Sequence, residues 1–207
     1  MQAILYYVHD PMCSWCWGFE PARRALFTDL DGKITIKRLL GGLAPDSDAP
    51  MTEAMQLGLQ QTWKRIQQVI PNTRFNFAFW TDCKPRRSTY PANRAIIAAR
   101  LQSPEFDLRM TQRIQQAYYL EARNPSDDDT LVELAADIGL DGDRFASDLL
   151  NPATEQKLVS EIESVRAMGI NSFPSLAMVD AGGQLSHVGL HYTSADAMRD
   201  QVEALIG

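Results

Sequence analysis

Residues 2–8 read QAILYYV, a compact apolar run that breaks at Asp10-Pro11, as a buried strand does on entering a tight turn. From Cys13 onward, apolar residues recur at Trp17, Ala22, Ala25, Leu26 and Leu30, a helical spacing that stops at Asp31-Gly32. KITIKRLL, 33–40, then alternates as a second strand. A strand, helix and strand of this size form a parallel crossover, right-handed by default.

Between about 50 and 150 the pattern becomes a series of short helices, TEAMQLGLQQTWKRIQQVI, PANRAIIAARLQ, PEFDLRMTQRIQQAYYLEA, DDDTLVELAADIGL and DGDRFASDLL, punctuated by Pro, Asn, Asp and Gly. RFNFAFW, 74–80, alternates and predicts an extended segment instead. Residues 152–168 form an amphipathic helix opened by Asn151-Pro152 and closed by Gly169. PSLAMVD and QLSHVG flank a turn at Ala181-Gly182-Gly183 and read as a hairpin, followed by a final helix from Thr193 or Ser194. The predicted class is α/β, with sheet-forming segments at 1–45 and 151–207 and a helical domain inserted at 46–150. The pattern contains no internal repeat, low-complexity tract or long linker.

With 207 residues and 45% hydrophobic content, the chain can bury a full core without cross-links or metal. Twenty basic against 26 acidic side chains, net −6, disfavour general binding to nucleic acid or to an anionic membrane. The N-terminus lacks the basic start and small-residue cleavage pattern of a signal peptide, and no run of about eighteen apolar residues suggests a membrane span. The expected compartment is therefore a reducing cytoplasm, where paired thiols are catalytic or metal-binding more often than structural.

The chain has three cysteines, and two of them lie in DPMCSWCWGFEP, 10–21. Residues three apart at a helix start share a face, so Cys13 and Cys16 can approach closely enough for a disulfide. Cys13 lies where helix amides are unpaired and the dipole is positive, which favours its thiolate, while nearby Asp10 opposes the effect. Cys13 is the expected exposed nucleophile and Cys16, one turn in, the resolving thiol. A zinc site would need two further ligands, but there is no second CxxC, and His9, His187 and His191 lack a companion spacing, so no metal is expected. A pair of inert buried cysteines is the bland alternative. Cys83, in TDCKPRR, reads as a free loop thiol; Arg86, Arg87 and Arg94 read as a solvated basic face or an anion site.

DPMCSWCWGFEP resembles the active-site signature of the thioredoxin superfamily, in particular its DsbA-like branch and the FrnE-like oxidoreductases within it. Pro21 falls five residues after the second cysteine, where thioredoxin-like helices carry a kinking proline. GINSFPSLAMV resembles the loop whose proline, here Pro174, is cis and faces the CxxC; Phe173 stands where threonine or valine is common in the branch. The resemblance implies a thioredoxin-like fold and disulfide exchange through Cys13 and Cys16 with protein or peptide substrates, with glutathione as a further candidate partner and no cofactor. It implies that Ser172-Phe173-Pro174 offers backbone groups to an extended substrate, and that Trp15, Trp17 and Phe173 form an apolar rim. Core packing is the alternative for Trp17 and Trp80, whereas Trp15 is expected to be exposed. Kappa-type glutathione transferases and hydroxychromene-carboxylate isomerases share this layout, but they use a serine where this chain has Cys13.

Overall fold

In the computed structural model, which describes residues 3–206, four strands form one sheet in the order β2-β1-β3-β4. The first strand, β1 (Ile4–His9), begins two residues later than expected, and Gln2 lies outside the described residues. It pairs in parallel with β2 (Thr35–Leu40), from Ile4 opposite Thr35 to His9 opposite Leu40. On its other side β1 runs antiparallel to β3 (Ser175–Val179), which turns back into β4 (Leu185–Val188). Helix α1 (Ser14–Asp29) makes the crossover between β1 and β2 and carries Pro21 in its interior.

Alternation in the central strands sorts the two faces. Leu5, Tyr7, Leu176 and Met178 pack on Phe19, Ala22 and Leu26 of α1 and on Met198 and Val202 of the terminal helix α9 (Asp196–Ile206). Val8 and Ala177 point the other way, onto Val165 of α8 (Pro152–Ala167) and Ile170.

Between β2 and α8 lie α2 (Glu53–Val69), α3 (Phe79–Asp82), α4 (Tyr90–Gln102), α5 (Phe106–Leu120), α6 (Asp128–Asp137) and α7 (Gly142–Leu149). Thr52, Asp141 and Asn151 each accept a backbone N–H of the helix they precede, so three of these starts are capped as their residue types favour. Helix α4 is buried along most of its length, and small residues at Ala92, Ala95, Ala98 and Ala99 admit its neighbours.

RFNFAFW is not a strand: residues 73–76 are irregular and lead through a turn into α3. Its alternation has another cause. Phe75, Phe77 and Phe79 all converge on the Trp63 indole, with ring centroids 4.8, 5.5 and 6.2 Å away, and the Asn76 amide bonds to the Tyr119 carbonyl rather than to a neighbouring strand.

The helices are joined to the sheet by charge as well as by apolar contact. Asp107 on α5, 3% exposed, accepts from Arg38 of β2 and Arg100 of α4, and Arg100 reaches on to Glu161 of α8. Glu161 in turn accepts the Leu40 amide at the end of β2.

Burial alone would raise the Asp107 carboxyl, but Arg100 and Arg38 outweigh it and hold the group below its ordinary value. A lowered native value contributes stability that is fully present above the unfolded value of about 3.9 and is lost as pH falls through the native one. Asp107→Asn should cost about 3–5 kcal/mol at neutral pH, because two arginines lose their buried partner. It should also flatten the dependence of the urea midpoint on pH between about 5 and 2. Parallel pH profiles for variant and parent would place the acid sensitivity elsewhere.

Candidate active site

Where β1 ends, the chain turns through Asp10-Pro11-Met12 into α1. Cys13 is the N-cap of that helix, with its amide bonded to the Asp10 carbonyl at 3.1 Å. Cys16 lies one turn in, and the two thiols are neighbours and unbridged. Burial, followed by the adjacent Cys13 thiol, pushes the Cys16 thiol well up.

Cys13 is less open than expected: it is 5% exposed and Cys16 1%. The loop before β3 closes over it, and the Cys13 thiol donates to the Phe173 carbonyl at 3.3 Å. The Phe173–Pro174 peptide bond is cis, and Pro174 is buried. The neighbouring carbonyl, that of Ser172, accepts from the Ser175 hydroxyl.

Phe173 does not form the rim assigned to it. Its ring packs close against Gly41 and, half-buried, joins the apolar layer of Val8, Val165, Ile170 and Ala177. A Cβ at position 41 would sit 2.1 Å from that ring. The next residue, Gly42, has φ +59° and packs on Ile162 and Tyr90, so this glycine pair is needed for both its shape and its missing side chains.

Trp15 is half-buried rather than exposed, with its ring 5.1 Å from that of Tyr192. Trp17 packs inward as the core alternative anticipates: it stacks on Tyr119 at 5.5 Å, and its indole N–H donates to the Arg74 carbonyl. Trp80 is buried among the helices. Two of the three arginines considered for an anion are already engaged, Arg94 with Asp46 and Glu155, and Arg86 with Asp127 and the Ser126 carbonyl. Cys83 ends α3, is half-buried and donates to the Ala122 carbonyl at 2.9 Å. Burial, with Asp127 and Asp82 nearby, raises its thiol.

Asp10 has a larger role than its place in the motif indicated. It is fully buried; Oδ1 accepts the Met12 amide at 2.8 Å, and Oδ2 accepts the Leu43 amide, the Thr89 hydroxyl and the Asn93 side-chain amide at 2.8, 2.7 and 2.8 Å. Burial pushes this carboxyl up, and the surrounding donors pull it back. The only hint in the sequence was an acid next to a proline at a strand end.

A family model described as Thioredoxin matches residues 6–198. Among curated proteins, the ClpXP adapter protein SpxH of Shouchella clausii is 26% identical over 172 residues, 83% of this chain and 56% of that protein. The chain thus spans little more than half the length of such relatives. Among solved structures, a candidate protein disulfide isomerase from Nitrosomonas europaea superposes with a TM-score of 0.85 at 25% identity, covering 99% of this chain and 97% of that one. The cytosolic disulfide reductase DsbM of Pseudomonas aeruginosa superposes with a TM-score of 0.78 at 24% identity, covering 97% of each chain, and has also been solved with GSH.

Asp10→Asn tests the anchor. However the amide is turned, its N–H2 faces at least one of the donors that now point at a carboxylate oxygen. The expected loss is about 2–3 kcal/mol in urea denaturation. A variant as stable as the parent would show that the carboxylate is not what the donors require.

Proposed function

The chain belongs to the thioredoxin family, in its DsbA-like branch, and from that premise we propose that it exchanges disulfides with protein or peptide substrates through Cys13 and Cys16. The observation that carries this reading is the placement of Cys13: a helix N-cap, with its sulfur against the Phe173 carbonyl and the Cys16 thiol beside it.

In the reducing direction the Cys13 thiolate attacks one sulfur of a substrate disulfide, forming a mixed disulfide and releasing the other substrate sulfur as a thiolate. Cys16 gives up its proton to the thiolate released in the first step, attacks Cys13 and releases the second substrate thiolate, which leaves a Cys13–Cys16 disulfide. The oxidising direction reverses these steps. In either disulfide form Cys13 has no S–H to donate, so the Phe173 carbonyl is free to accept an N–H from an extended substrate chain.

Glutathione is the second partner we infer, from the likeness to DsbM, and the reading places the reaction in the cytoplasm on the same ground. It treats residues 46–150 as an inserted helical domain that shapes the surface around the couple. A transferase of the kappa type is disfavoured by the thiol at position 13 and by the carboxylates already held by Arg86 and Arg94. A purely adapter-like role, suggested by the likeness to SpxH, gives the thiol pair nothing to do.

Titration of the Cys13–Cys16 pair against glutathione, read by alkylation and mass, should show a single two-electron transition. Cys13→Ser should abolish insulin reduction, and Cys16→Ser should accumulate mixed disulfides. Cys83→Ser should keep most of the activity. Loss of activity in both active-site variants with no trapped adduct, or a complete loss on changing Cys83, would overturn the assignment.

A further inference from the structure

The two residues between the cysteines face opposite ways. Trp15 leans on Tyr192, near α9, whereas Ser14 is 8% exposed and turned into the helical segment. There its Oγ accepts a hydrogen bond from the indole N–H of Trp63 at 2.9 Å. Trp63 is fully buried in α2, 49 residues away in sequence, and is wedged among Phe75, Phe77, Trp80, Tyr118 and Tyr119.

With one lone pair of Ser14 Oγ committed to the indole, the hydroxyl proton must point elsewhere. The Tyr119 hydroxyl lies beside Ser14, is fully buried and makes no well-formed hydrogen bond of its own. A serine hydroxyl that receives an N–H donor is a better donor in turn. Ser14 thus ties the first turn of α1, which follows the N-cap Cys13 and contains Cys16, to the aromatic cluster around Trp63.

We propose that Trp63 is a positioning residue for disulfide exchange: by donating to Ser14 it holds the first turn of α1 in the arrangement of the reduced couple and so favours the dithiol relative to the disulfide. Trp63 touches no substrate; it acts through Ser14. The proposal rests on the assignment of Cys13 and Cys16 as the redox couple.

The test is a double-mutant cycle read on the equilibrium constant of the pair with glutathione, with thermal stability measured in parallel. Trp63→Phe keeps an aromatic ring and removes the donor; Ser14→Ala removes the acceptor. Each should shift the equilibrium toward the disulfide by about five- to tenfold, the worth of one hydrogen bond in a buried site. The double variant should shift it no further than either single change, because both remove the same contact. Because Trp63 is a core residue, Trp63→Phe will also lower the melting temperature, so Ser14→Ala, small and folded, provides the independent reading.

Additive shifts, or an unchanged constant in Ser14→Ala, would overturn the proposal. A parent protein whose cysteines do not titrate at all would instead overturn the redox assignment on which it rests, so the two failures are distinguishable.

Discussion

One buried carboxylate, that of Asp10, holds together the parts from which the site is made. It follows directly on β1, and its oxygens gather the Met12 amide that leads into Cys13, the Leu43 amide beyond β2, and the Thr89 and Asn93 side chains at the start of α4. A carboxylate taken out of water is costly unless its lone pairs are filled, and this one is filled from three separate chain segments. That requirement is what makes the turn before α1 rigid. If any of these segments moved, the charge would lose a donor, so the position of Cys13 is set by the same condition that keeps Asp10 tolerable.

The opposite wall of the site is set by packing rather than charge. Phe173 reaches its place over Cys13 because Gly41 has no side chain, and the aromatic ring fills the resulting gap against the α8 layer. A threonine or valine in that position would leave part of this space empty. The loop is therefore held from behind by an apolar contact, while its carbonyl faces the sulfur. Backbone polarity is presented to the Cys13 thiol and the side chain is used as a wedge, a division that allows the residue before the proline to change type while the carbonyl keeps its position.

Much of this was legible in the sequence because it is local. Strand β1, helix α1 and the hairpin of β3 and β4 follow from apolar periodicity and glycine turns, and the cysteine pair falls at a helix start because the strand before it ends at Asp10-Pro11. What was missed is non-local. RFNFAFW alternates because three phenylalanines must reach one indole, a demand that periodicity cannot tell from a strand. Phe173 looked like a rim residue because nothing in the sequence indicates that Gly41 lies beneath it. Trp63 carries no mark at all: in an amphipathic helix it reads as core, which it is, and its N–H bond to Ser14 depends on a packing geometry that no spacing encodes.

The same distinction explains why the helical segment is coupled to the sheet by ions. An apolar interface could hold the two together, but it would tolerate sliding, since apolar contacts are non-directional. The chain Arg38, Asp107, Arg100 and Glu161 crosses from β2 through α5 and α4 to α8, and Glu161 closes on the Leu40 amide of β2 itself. Each link has a preferred geometry, and together they fix where β2 ends relative to α4 and α8. Gly41 is the next residue, and Leu43 donates to Asp10 shortly after. The ionic network therefore delivers Gly41 to Phe173 and Leu43 to Asp10, so the alignment of the helices on the sheet determines both walls of the thiol site.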